Sequence, residues 1–182
     1  MDLKKPLPAD ALGPEVQKIG DALVEGSDLA TALVASSFLD ECLRSLLMAF
    51  FRDGETSVGL LRSGRGVLGT YAARMEVAYS LRLIDKAELN NLRTIGEIRN
   101  AFAHSYTEGS FDHPSIAPLC ASLDFAYEVF IHRGHAGRDG GAVRADLDRF
   151  YQKHRNRFTH TCVTLGQTLI MSARRAQEQR PE

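Results

Sequence analysis

Between Leu29 and Phe51 the chain carries only three charges, Asp40, Glu41 and Arg44. Its apolar residues there, among them Leu33, Val34, Phe38, Leu39, Leu43, Leu46, Leu47 and Phe50, go round the cylinder instead of forming one stripe. A helix that is apolar on all sides has to be surrounded by other elements, so this stretch predicts a central helix over about 29–52. Ser27 or Asp28 would cap its start and Asp53-Gly54 would close it. The longest unbroken apolar run, Leu46 to Phe51, is far short of the about 18 residues that a membrane span needs.

Around this helix the pattern is helical almost everywhere. Pro14 opens an expected helix ending near Gly26. Residues 54 to 69 are Gly- and Ser-rich and predict a loop with at most one short turn. Leu68, Ala72, Met75, Tyr79 and Leu83 predict a helix over 70–84. Asp85, with Glu88 three residues on, forms the signature of a capping box for a helix from Lys86 to about Ser105. Pro114 and Pro118 punctuate a short helix leading to a helical stretch through about Arg133. From Val143 to about Arg175 one stripe persists through Leu147, Tyr151, His154, Phe158, Cys162, Leu165, Leu169 and Ala173. No segment alternates with period two between hairpin turns, so the expectation is an all-α, single-domain helical bundle over 1–182. A flexible lead at 1–13, a Gly-rich mobile loop at 134–142 and a tail at 176–182 complete it.

Composition narrows the function classes. Hydrophobic residues make up 44%, charged residues 25%, and the net charge is −1. This excludes a disordered tail and a strongly basic nucleic-acid wrapper. The charge is uneven: residues 1–125 hold 12 Lys and Arg against 17 Asp and Glu, whereas 126–182 hold 10 against 6. The basic part, mostly Arg133 to Arg157, suits an anionic partner, a second copy, or simple solvation. Cys42, Cys120 and Cys162 lack metal-ligand spacing and read as reduced thiols of a cytoplasmic protein. The N-terminus has no secretory pattern.

Asp40 and Glu41 lie half-way along the central helix, so at least one needs a cationic partner. Leu92, Ile95, Arg99 and Phe102 recur at helical spacing, which places Arg99 on a core-facing stripe. A structural ion-pair network of Asp40, Glu41 and Arg99 is therefore expected.

Several stretches carry a family likeness. Ser37-Phe38-Leu39-Asp40-Glu41, Gly66-Val67-Leu68-Gly69, Ala73-Arg74-Met75-Glu76-Val77-Ala78-Tyr79 and Ile98 to Ser105 follow in order. Together they resemble the mannitol operon repressor (MltR-like) family, with the likeness running from about Leu29 to Leu123. The resemblance implies an all-helical, oligomeric bacterial regulator of transcription and does not imply a helix-turn-helix. More locally, Arg99, Asn100 and His104 are similar to the Arg-Asn-x-x-x-His motif of HEPN ribonucleases. That resemblance implies metal-independent RNA cleavage across a dimer interface. His104 would be the general acid/base, Arg99 would stabilise the phosphorane-like transition state and Asn100 would position the histidine.

The same pattern recurs at Arg155, Asn156 and His160, which reads as coincidence or as a second basic site. Gly64-Arg65-Gly66-Val67-Leu68-Gly69 satisfies the dinucleotide fingerprint as a string, but no strand precedes it, so no nucleotide cofactor is expected. The alternative is a loop whose small residues let it pass close to the central helix. Arg62 and Arg65 could still hold an anion. No His or Cys spacing suggests a metal. The expectation is a non-enzymatic regulator without cofactor that works through a protein partner and as a homo-oligomer, a dimer first. A ribonuclease using Arg99 and His104 is the alternative, and direct DNA binding through Arg133–Arg157 comes third.

Overall fold

The structure, a computed structural model, describes residues 19–20, 23, 26–104, 109–124 and 149–179. The expected lead at 1–13, the loop at 134–142, most of the helix expected from Pro14 and the stretch from 125 to 133 lie outside the described residues. Among the described residues every regular element is an α-helix.

Helix α1 is Asp28–Phe50. Ser27 caps it, its Oγ accepting from the Ala30 N–H at 3.3 Å, and Asp28 places a negative charge in the first turn. Ala32, Ala35, Leu39, Cys42, Leu43, Leu46 and Leu47 are fully buried. Burial is not complete all round: Val34, Ser37 and Phe50 are exposed, so α1 keeps a narrow wet stripe. The helix stops two residues earlier than expected because Phe51 turns extended.

The expected loop at 54–69 contains α2, Glu55–Leu60. The turn after it packs on itself. A Cβ at Gly66 would lie 2.1 Å from the Leu60 carbonyl oxygen, and Gly64 has a φ of +72°. The small residues thus serve close approach within the turn.

Helix α3 is Tyr71–Ser80, capped by Thr70. It ends earlier than the expected 84, in a Schellman turn: Leu83 N–H donates to Ala78 O and Arg82 N–H to Tyr79 O, both at 2.9 Å. Arg82 holds the left-handed position, with φ 59°. Helix α4 is Lys86–His104. Its capping box forms as read: Asp85 N–H donates to Glu88 Oε2 at 2.7 Å and Glu88 N–H to Asp85 Oδ1 at 2.8 Å. Helix α5 is Ala117–Ser122 and α6 is His154–Glu178. The continuous C-terminal helix expected from Val143 is interrupted at Gln152–Lys153, and α6 runs on into the stretch expected to be tail.

Helices α1 and α6 lie side by side and run in the same direction. Arg155 reaches Asp28 at one end, and Gly166 faces Phe38 in the middle. Helices α3 and α4 pack against α1, so α1 is the element on which the bundle is assembled. Phe102, Phe111 and Phe158 stack where α4, the segment before α5 and α6 meet, with successive ring centroids 4.9 Å apart.

Candidate functional site

The core stripe of α4 runs through Leu89, Leu92, Ile95, Ile98 and Phe102, each at most 1% exposed. Arg99 is therefore not on the core face, as expected, but exposed beside it. The spacing 92, 95, 99, 102 and the spacing 92, 95, 98, 102 are equally helical. Ile98 wins the buried place because an isoleucine loses nothing by leaving water and a guanidinium does.

The carboxylates of α1 take other partners. Asp40 pairs with Arg74 of α3, and Glu41 pairs with Arg44 one turn along its own helix at 2.6 Å. The expected pairing of Arg99 with Asp40 or Glu41 is thereby corrected; Arg99 Nη1 instead donates to Asn100 Oδ1 at 3.2 Å. Arg74 is fully buried. Its Nη2 also donates to the Leu61 carbonyl at 3.3 Å and the Ser63 hydroxyl at 3.4 Å, tying α3 to α1 and to the turn after α2. Arg74 was not singled out from the sequence, although it shares a helix face with Tyr71, Met75 and Ala78.

Where α1, α3 and α4 meet there is a cavity of about 250 Å³. Ser37 and Asp40 line it from α1, Thr70 and Tyr71 from the start of α3, and Arg99 and Asn100 from α4. Ser37 and Asp40 thus meet Arg99 and Asn100 at one place although they are distant in the chain. Gly96 forms part of the lining, and a Cβ there would come within 3.3 Å of the Tyr71 ring. Tyr71 donates its hydroxyl to the Leu92 carbonyl at 3.0 Å. Burial, followed by Cys162 and Asp40, pushes its pKa well above the ordinary phenol value, so it stays protonated and is structural.

His104 is exposed at the last position of α4 and does not line the cavity. Arg62 and Arg65 are exposed on the turn before α3, also outside the lining. Among the described residues no group of His, Cys, Asp and Glu is arranged to hold a metal. The three cysteines are buried free thiols. Burial pushes the Cys120 thiol up to about 12 and raises Cys42 and Cys162 well above the ordinary thiol value, which leaves them poor nucleophiles.

The second Arg-Asn-x-x-x-His copy is built into the fold. Arg155 bonds Asp28 Oδ1 at 2.8 Å, the carbonyls of Leu23 and Gly26 at 2.9 and 2.5 Å, and Thr31 Oγ1 at 3.0 Å. Asn156 donates to the Phe150 carbonyl at 3.0 Å. His160 sits edge-on to Tyr151, and burial pushes its pKa down to about 4. Arg157 closes the end of α5 by donating twice to the Leu123 carbonyl, at 3.0 and 2.6 Å.

No family model and no curated protein matches the sequence. Among solved structures, a chain of the MtlR–HPr complex from Escherichia coli is similar in fold. The TM-score is 0.63 at 19% identity, and the match covers 85% of this chain and 97% of that one. No helix of the described residues is long and apolar enough to cross a membrane.

Proposed function

We propose that the protein is an MtlR-like regulator of transcription that acts in the cytoplasm through a protein partner, and that the partner is an HPr protein. The observation that carries this reading is the extent of the fold likeness: nearly the whole of the neighbouring chain, 97%, is matched by 85% of this one. That neighbour is itself seen in complex with HPr. The regulator is a homo-oligomer in this reading, a dimer first. Within the basic stretch Arg133–Arg157, Arg155 and Arg157 are turned onto backbone carbonyls of their own chain, which takes these two away from any DNA contact. The test is titration calorimetry of the purified protein with HPr from the same organism. Saturable binding is expected; none up to about 100 µM would overturn the reading.

A second reading has one observation in its favour: α4 presents Arg99, Asn100 and His104 together on its exposed side. This is the disposition a metal-independent ribonuclease would need. RNA cleavage in EDTA that is lost in His104→Ala would establish it, and cleavage equal in both proteins would dismiss it.

A further inference from the structure

We propose that the cavity between α1, α3 and α4 binds a small organic oxyanion that also carries a hydroxyl group, independently of which macromolecule the protein docks. Its walls are of opposite character. On the α4 side the hydrogen bond that Arg99 makes among the described residues goes to Asn100, and its charge also acts on the Tyr71 ring beside it, so the rest of its guanidinium fork is available at the lining. The same bond occupies Asn100 Oδ1 and leaves the amide nitrogen as a donor. Thr70 accepts from the Ala73 N–H at 3.2 Å through its hydroxyl oxygen, which leaves the hydroxyl proton free to donate. These three groups offer donors and one positive charge, the set that a phosphate or carboxylate requires.

On the α1 side Asp40 gives one carboxylate oxygen, Oδ1, to Arg74. The other oxygen can accept from a ligand, and the charge it brings is balanced by the buried Arg74 instead of repelling the oxyanion. An oxyanion alone would leave this acceptor unmatched, whereas a hydroxyl on the same molecule would meet it. The volume, about 250 Å³, equals that of about eight waters. A small metabolite fits this space better than a polymer.

The test is titration of the full chain with glycerol 3-phosphate, glycerate, inorganic phosphate, glycerol and a short single-stranded RNA, repeated with Arg99→Gln. Arg99 is exposed, so this variant should melt with the parent. Binding is expected for glycerol 3-phosphate or glycerate, and the better of the two identifies the head group. Arg99→Gln should weaken it at least about tenfold, the loss of one charge-assisted bond. Inorganic phosphate should bind more weakly than its ester, and glycerol not at all. The proposal is overturned if neither hydroxylated anion binds, if Arg99→Gln binds equally well, or if inorganic phosphate matches the ester. RNA binding that depends on Arg99, without binding of the small anions, would assign the site to a phosphodiester backbone and overturn it too.

Discussion

The pair formed by Arg74 and Asp40 is unequal, and that inequality can be measured. The Arg74 side chain is 1% exposed and that of Asp40 is 32% exposed. Removing Asp40 strands a guanidinium in the interior, where Nε already has no partner among the described residues. Removing Arg74 releases a carboxylate that is one-third wet and can rehydrate. Breaking a buried pair costs about 3–5 kcal/mol when the charge left behind cannot reach water. Asp40→Ala should therefore cost about 3 kcal/mol or more. Arg74→Met keeps most of the volume and loses the bonds to Leu61 and Ser63, and should cost about 1–2 kcal/mol. The double variant should cost less than the sum of the two by at least about 1 kcal/mol, because no stranded charge remains. Urea denaturation with a common m-value provides the assay. Arg74→Met as damaging as Asp40→Ala, or additivity in the cycle, would refute the argument that desolvation of the guanidinium dominates.

Three further perturbations test the packing and the titration. Gly166→Ala places a Cβ 2.3 Å from Phe38 Cε1; it should cost about 1–3 kcal/mol in chemical denaturation despite the helix propensity gained, with Phe38→Leu restoring much of it. Arg82→Gly relieves the left-handed backbone at φ 59° and should raise stability by about 1 kcal/mol, a rise of a few degrees in Tm. His160 has its folded pKa lowered from 6.5 to about 4. Its contribution is thus present above pH 6.5 and lost as pH falls toward 4, since the unfolded chain takes up the proton first. The loss is on the order of 3 kcal/mol at most, and His160→Gln should flatten this acid limb in pH-dependent melts.

What was legible in the sequence is what local rules decide. Ser27 and the reciprocal Asp85–Glu88 bonds sit where their spacing placed them, since a cap needs only its own turn. Helix ends governed by apolar spacing were less legible. Tyr151 and Ile84 are both 5% exposed, yet one precedes the break before α6 and the other follows the turn after α3. Periodicity therefore reported which residues are buried and not whether the backbone between them stays helical. A Schellman turn with arginine in place of glycine carries little local signal, because glycine is the residue that usually marks it.

The site was legible as a set of residue types and illegible as a set of partners. That Asp40 or Glu41 needs a cation follows from their place half-way along α1, but Arg74 and Arg99 both lie on helices that pack against α1. Choosing between them required knowing that Ile98 takes the buried place. The two Arg-Asn-x-x-x-His strings make the same point, since identical spacing guarantees only a shared helix face. In the second copy the arginine holds the end of the preceding segment and the start of α1 through four bonds. In the first, it holds its neighbour. Arg155→Ala should then cost about 2–3 kcal/mol, as carbonyls at a helix end and Asp28 lose their donor. Arg99→Ala should change stability by no more than about 0.5 kcal/mol, as for an exposed side chain without a tertiary hydrogen bond among the described residues. A destabilisation by Arg99→Ala comparable to that of Arg155→Ala would show that Arg99 braces the bundle after all. It would also withdraw the free guanidinium on which binding at the cavity depends.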